Sequence, residues 1–509
     1  MKPDSTVQRL VAALFSGLLL SLAIPPLPFG FLAWFGFVPL LIALESTRKY
    51  GEAFRLGFLT GFVFYLGTIY WLAWNSGANL PLRIVSVIGA VTILSLCFGL
   101  MILAYRAVVA AFGRGAHLAF PFFLAAYEWL WHLGELAFPW PLTALTQGNY
   151  LPVLQLASVG GTPLIAAWVA AINGILVSGR NRRRTGVVVV LLVGLTFLFG
   201  STRERYIFRL SATPLARVAV VQGNIDAEEK WERGPAYSLD VYFPLTRAVT
   251  ADMPDLIVWP ETAAPVLLQR AWRWRHSFQA FVDSLGVPLI TGARHYEMEG
   301  DRRVPLNTCF LVRPGARGVM DRYAKVHLVP FGERVPFQWL IPSLGRLNMG
   351  QAEFKAGEDL VVWSLPVGDR RLRFVPLICY ESIFPGLGRR AVAKGADVLV
   401  NLTNDGWYDG TSEHIQHLIL SRIRSIETGR CLVRATNTGI SAIIGPSGRI
   451  LRTLPDGVRG GLVAEVTSPV NTSFLRWGWL IPWVLLVCAL ATLIAAVARL
   501  RRRRTNGEG

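Results

Sequence analysis

Apolar and polar positions run along this chain in two textures. Up to about residue 201, and again from about 474, apolar residues continue in blocks of the about 17–25 residues that a bilayer crossing needs. The blocks fall near 9–25, 27–44, 54–74, 84–105, 118–137, 154–177 and 185–201, with a last one near 474–498. The pattern predicts about eight spans: seven, a long polar region, then one more. The first block could pass for a secretory leader. It runs through Ser21-Leu22-Ala23 and Ile24-Pro25-Pro26 directly into the second, and is read as an uncleaved helix. The block 118–137 holds Glu128, His132 and Glu135. A carboxylate inside a span points to function; one near a span end, or facing the bundle, does not.

From about 213 to 470 the texture changes to short β-branched runs. Strand patterns end at Gln222-Gly223-Asn224, Trp259-Pro260-Glu261, Thr291-Gly292, Val312, Ile378-Cys379, Asn401, Gly445 and Val466. Amphipathic helical patterns fall near 235–250, 271–286, 383–395 and 412–429. Strands alternating with helices predict an α/β domain with helices packed on sheet faces. The predicted division is a membrane bundle over 1–212, a polar domain over 213–471, and a last span with a basic tail over 472–509.

Composition agrees. Of 509 residues, 52% are hydrophobic and 17% charged, too apolar for a wholly soluble chain. The net charge of +18 raises the question of nucleic acid, but its placement answers differently. With the N-terminus inside, the inner segments hold Lys2, Arg9, Arg48, Lys49, Arg55, Arg106, Arg114, Arg180, Arg182 to Arg184, Arg499 and Arg501 to Arg504. The short outer loops hold Arg83. This is the positive-inside pattern, and it puts the polar domain on the outer face, with no nucleic-acid partner. Arg203, Arg205 and Arg209 run against the rule, which long translocated domains obey weakly.

The candidate chemistry centres on Arg373-Phe374-Val375-Pro376-Leu377-Ile378-Cys379-Tyr380-Glu381-Ser382. A buried strand ends at Cys379, and a helix is expected to open after it. Backbone N–H groups and the helix dipole there would favour the thiolate; the plainer alternative is a core cysteine. The five cysteines, Cys97, Cys309, Cys379, Cys431 and Cys488, show neither a disulfide framework nor a zinc pattern, and Cys309 and Cys431 read as core thiols. Glu261 ends one predicted strand, and Lys325 lies in Tyr323-Ala324-Lys325-Val326-His327-Leu328-Val329-Pro330-Phe331-Gly332-Glu333. A carboxylate, an ammonium and a thiol from separate element ends suit acyl transfer: a base for the thiol proton, a fixed charge for the oxyanion, and a sulfur that both attacks and leaves. His414 and His417 do not form HExxH, so no metal site is expected. Asn401, Asn404 and Asp405 read as turn-shaping.

The stretches Val258 to Glu261, Tyr323 to Glu333, Leu377 to Ser382 and Asn401 to Tyr408 together resemble the nitrilase, or carbon–nitrogen hydrolase, superfamily, with its αββα sandwich and Glu-Lys-Cys triad. With the surrounding spans, the whole chain resembles the apolipoprotein N-acyltransferase family of bacterial inner membranes. The resemblance implies Glu261 as general base, Lys325 as oxyanion-stabilising cation, Cys379 as nucleophile and Glu333 as an additional carboxylate. It also implies supporting or substrate-binding roles for Tyr380, Glu381, Trp231 and Asn307. No cofactor is implied. Its partners would be a phospholipid acyl donor, phosphatidylethanolamine, and a diacylated apolipoprotein acceptor, met on the periplasmic side. A membrane-tethered amidase shares the triad and is the first alternative; a transporter with an outer binding domain is the second. The apolar stretch Pro336 to Gly345 is either a mobile flap guiding acyl chains or an ordinary core helix.

Overall fold

The computed structural model describes residues 5–317, 320–341, 343 and 353–506, with all their side chains except those of Ala227 and Glu228. The chain forms two compact units. One comprises Met1–Ala73, Leu80–Glu204 and Ser473–Gly509; the other comprises Trp74–Asn79 and Arg205–Thr472.

The first unit is helical. Among the described residues, five helical stretches are long and apolar enough to cross a membrane: Tyr50–Trp74, Leu80–Leu130, Ala157–Ser178, Arg182–Leu210 and Gly478–Thr505. Thr6–Leu22 and Gly30–Ser46 are shorter apolar helices. The expected count of about eight is therefore not reached by length and composition. Predicted block 84–105 and the larger part of block 118–137 fall within one continuous helical stretch that ends at Leu130, and Gly30–Ser46 is broken into short pieces. Thr6–Leu22 packs on Tyr50–Ile69, which packs on Leu80–Phe112, and Ile481–Thr505 lies against Phe120–Leu130. Arg182–Leu210 leaves Val187, Val190, Leu195 and Leu198 exposed, as a lipid-facing helix would. Glu128 is buried and accepts hydrogen bonds from the Thr143 N–H and hydroxyl, anchoring the turn Thr143–Gln147. That is the structural reading of this carboxylate rather than the functional one.

Among the described residues, the second unit is built on twelve strands. They are β1 (Pro214–Gln222), β2 (Leu256–Val258), β3 (Leu289–Glu299), β4 (Arg302–Val312), β5 (Asp321–Ala324), β6 (Trp363–Val367), β7 (Arg370–Ile378), β8 (Val398–Thr403), β9 (Cys431–Thr436), β10 (Ser441–Ile444), β11 (Ile450–Leu454) and β12 (Gly460–Thr467). Two six-stranded mixed sheets result, ordered β12-β1-β2-β3-β4-β5 and β11-β10-β9-β8-β7-β6. In each, a parallel trio (β1, β2, β3 and β7, β8, β9) is flanked by antiparallel strands. Where the trios pair in parallel, residues 218–220, 256–258, 289–290 and 374–378 are apolar and buried because both their faces are covered. The sheets meet face to face, β1 against β9 and β4 against β7. Helices Gly234–Thr250 and Trp272–Leu285 lay Tyr242, Phe278 and Phe281 against Trp259 on the first sheet. Helix Glu413–Thr428 packs on β9 of the second.

The segment Trp74–Asn79 belongs to this second unit. Ser76 N–H donates to the Trp407 carbonyl at 2.9 Å. Gly77 lies so close to the Trp407 ring that a Cβ would meet its carbons at 3.0 and 3.1 Å.

Candidate active site

Three strand ends deliver the predicted triad. Glu261 follows β2, with Pro260 accepting from Gly292 N–H on the neighbouring β3 at 3.1 Å. Gly292 is needed there: a Cβ would collide with Thr262 N and Glu261 Cα. Thr262 completes the turn with φ +52°, an uncommon conformation for a threonine. Lys325 follows β5, is 1% exposed, and ties its backbone to Asn307 of β4 at 2.9 Å. Cys379 follows β7 with φ +51°, in the left-handed region that non-glycine residues enter at a cost. Its carbonyl accepts from Asn401 Nδ2 at 3.2 Å and Ser382 Oγ at 2.9 Å, which fixes the strained turn.

The charges are joined by short contacts. Lys325 Nζ lies 2.8 Å from Glu333 Oε2 and donates to Oε1 at 3.0 Å. Asn307 Nδ2 donates to Glu261 Oε1 at 2.7 Å and to Glu333 Oε1 at 2.8 Å. The amide thus links the two carboxylates. Glu333 also accepts from Val329 N–H at 2.9 Å. Burial pushes the Glu261 carboxyl above the usual carboxylate range; Lys325 pulls it down and Glu333 pushes it up. Burial alone would lower the Lys325 ammonium, but Glu333, Cys379 and Glu261 raise it, so it stays charged.

Cys379 requires a correction. The sequence predicts a helix start that favours the thiolate. Only a five-residue 3-10 turn, Cys379–Ile383, follows β7, and the α-helix begins at Pro385. Burial, and then the Glu261 carboxylate, push the thiol well above its ordinary value, against Lys325 and the Thr403 hydroxyl. The resting group is a half-buried thiol. Cys309 and Cys431 are buried, as expected of core thiols.

Glu381 is fully buried. It accepts from the N–H groups of Ile378 (2.7 Å), Val326 (2.7 Å) and His327 (3.1 Å) and from the Tyr323 hydroxyl (2.8 Å). It therefore braces the loop carrying Lys325 against the turn carrying Cys379. Tyr380 is buried with its ring edge-on to Phe384 at 5.1 Å. Trp231 stands apart from the carboxylate–lysine network: it is 44% exposed, under the Arg294 guanidinium at 5.3 Å.

Other members were not legible in the sequence. Lys230, beside Trp231, is 2% exposed. Behind Cys379, Ser382 Oγ meets His417 Nε2 at 3.1 Å, His417 Nδ1 meets Asp405 Oδ1 at 3.0 Å, and Arg434 reaches Asp405 at 2.5 Å and Asn401 at 2.7 Å. Asp405 is thus the hub of a buried network rather than a turn former alone. A polar residue inside an apolar strand, Arg434 in β9, was the available signal. Asp405, Glu413 and His417 bring donor atoms within 4.8 Å of one another, the spacing of a cation site. Arg434 already supplies positive charge to Asp405, and His417 and Thr403 engage its other oxygen.

The second unit thus has the layered two-sheet form of the carbon–nitrogen hydrolases, and the profile of that family, "Carbon-nitrogen hydrolase", matches residues 217–473. The profile "Apolipoprotein N-acyltransferase N-terminal domain" matches residues 16–175. Apolipoprotein N-acyltransferase of Geobacter metallireducens is 34% identical over 97% of this chain and 96% of its own. That of Chlorobaculum tepidum is 31% identical over 96% of each. Among solved structures, an amidase of the nitrilase superfamily from Nesterenkonia is similar at 22% identity and TM-score 0.38, covering 52% of this chain and 94% of its own. The chain belongs to the apolipoprotein N-acyltransferase family.

Proposed function

We propose that the chain transfers a fatty acyl group from a phospholipid, phosphatidylethanolamine, to the α-amino group of the S-diacylglyceryl cysteine that begins an apolipoprotein. The reading assigns residues 213–471 as the catalytic domain on the periplasmic face of the bacterial inner membrane. Residues 1–212 and 472–509 are then its membrane part, crossing about eight times. The observation that carries it is the meeting of Glu261, Lys325 and Cys379 in a chain that also has membrane-length apolar helices. Both substrates are held in a bilayer, and extracting them would cost about 0.8 kcal/mol per CH₂.

The geometry supports two half-reactions. Glu261 takes the Cys379 proton as sulfur adds to the ester carbonyl, and the oxyanion forms beside the Lys325 ammonium. Collapse expels the lysophospholipid oxygen, which takes the proton back from Glu261, leaving a thioester. The acceptor amine then adds to the thioester, Glu261 takes the amine proton, and Cys379 leaves and is reprotonated. Glu333 keeps Lys325 charged and, through Asn307, in register with Glu261.

The test is purified protein in phosphatidylethanolamine vesicles with a diacylated lipopeptide. Expected are an acyl adduct on Cys379 by intact mass and an N-acylated peptide. Release of free fatty acid with no N-acyl peptide would overturn this reading in favour of the hydrolytic one.

A further inference from the structure

One buried cation beside the site has no part in those half-reactions. Lys230 lies on the short helix Ala227–Glu232 and is only 2% exposed. An ammonium has three donors and is costly to bury unless they are met or a carboxylate compensates the charge. Among the described residues the Lys230 ammonium makes one hydrogen bond, a long one of 3.4 Å to the carbonyl of Thr262. Thr262 is the residue after Glu261 and the one held at φ +52°. On its other side this turn is pressed against Gly292, where no side chain would fit.

The turn that aims Glu261 is therefore gripped from both sides, by β3 and by a lysine. We propose that Lys230 is a positioning residue for the catalytic base: it pins the Thr262 carbonyl and sets a second positive charge against Glu261, so that the base works between two lysines. Lys325 faces the reacting oxyanion; Lys230 does not, and its charge serves only to hold Glu261 ionised at rest. This rests on the reading of Glu261 as the base.

The groups acting on Glu261 come from every side. Lys325 follows β5, Glu333 lies in the loop beyond it, Asn307 lies on β4, and Lys230 is on its helix; Cys379 is the reacting partner. Glu333 opposes ionisation of Glu261, and the two lysines and Asn307 favour it. On Lys230 itself, burial lowers the ammonium to about 8, and Glu261 and Asp226 hold it up. It is therefore charged at neutral pH. Removing the charge leaves Glu261 with burial and Glu333 against one lysine and Asn307. The base then protonates at higher pH, and the acidic limb of the rate profile moves upward. Above about 8, where Lys230 loses its own proton, Glu261 is already ionised and the profile is unaffected.

The test uses the full chain in detergent micelles. The rate of Cys379 acylation by p-nitrophenyl acetate is measured against pH by nitrophenolate release and intact mass, and repeated with phosphatidylethanolamine. Three variants separate the roles. Lys230→Met loses pin and charge, Lys230→Gln keeps a donor for Thr262 but no charge, and Lys230→Arg keeps the charge. The expected result for Lys230→Met and Lys230→Gln is an acidic limb about one pH unit higher and, on that limb, an about tenfold slower rate. Lys230→Arg keeps the limb of the unaltered chain. A Lys230→Gln limb that coincides with the unaltered one overturns the inference, whatever its plateau rate and even if Lys230→Met fails to fold. If the unaltered chain takes no acyl group from either donor, the transferase reading falls and this inference with it. If it acylates normally and only the limb fails to move, the inference alone falls.

Discussion

At the scale of single residues, the site depends on how few groups hold the reactive ones. Glu381 accepts four hydrogen bonds, three of them from backbone N–H groups on both sides of the pocket. An amide there presents one acceptor oxygen and an NH₂ that faces other donors. Glu381→Gln is expected to lower stability by about 2–3 kcal/mol and to slow acyl-enzyme formation more than tenfold, because the Lys325 loop loses its anchor. Thermal melting and single-turnover mass spectrometry would check both. The chemistry also has a pH signature. A base must be ionised to take the thiol proton, and burial raises Glu261. The rate is therefore expected to fall as pH drops through a value above the ordinary carboxylate range, and to be lost in Glu261→Gln at every pH. An acidic limb at an ordinary carboxylate value would contradict this.

At the scale of elements, what the sequence shows depends on burial. The parallel trios are covered on both faces, so β1, β2, β3, β7 and β8 stand out as apolar runs bounded by turns. Four helices of the polar region are equally plain from their period; the short Ala227–Glu232 is not. Four strands are silent. β5 is a four-residue edge segment, Asp321–Ala324; β11 is largely exposed; β6 lies at the other end of its sheet; and β9 carries the buried Arg434 in the middle of its apolar pattern. Arg434 is balanced by Asp405 and Asn401, partners about thirty positions away, which local pattern cannot reveal. The same limit hid Lys230, whose meaning comes from the turn after β2. The candidate triad was legible because each member ends a strand, whereas the brace role of Glu381 was not. The stretch after the Lys325 loop was open between flap and core helix. Pro342, Leu344 and Gly345 of it lie outside the described residues. Trp339 is 74% exposed and Leu340 62%, which a core helix would not leave so. Replacing both with Ser is expected to lower turnover on phospholipid at least tenfold while sparing acylation by p-nitrophenyl acetate. Equal loss on both donors would return the stretch to the core.

At the scale of the whole molecule, the placement of Lys and Arg gives a direction. Arg182, Arg183 and Arg184 open one long apolar helix, and Arg501 to Arg504 close another. With these ends inside, the polar domain lies outside. A cysteine placed at the exposed Asp301 is expected to react with a membrane-impermeant maleimide in intact spheroplasts. One placed at Arg503 is expected to react only after lysis. The reverse pattern would place the catalytic domain in the cytosol and remove its access to exported lipoproteins.

The small Trp74–Asn79 excursion bears on how this enzyme can be handled. Those residues come from between two apolar helices, yet they fold with the polar unit and lean on Trp407, one position from Tyr408 and its electrostatic link to Cys379. A soluble excerpt trimmed to Arg205–Thr472 would leave that splint behind. Inhibitor screens run on such an excerpt would then be reading a proposed nucleophile whose neighbouring wall had come unbuttressed.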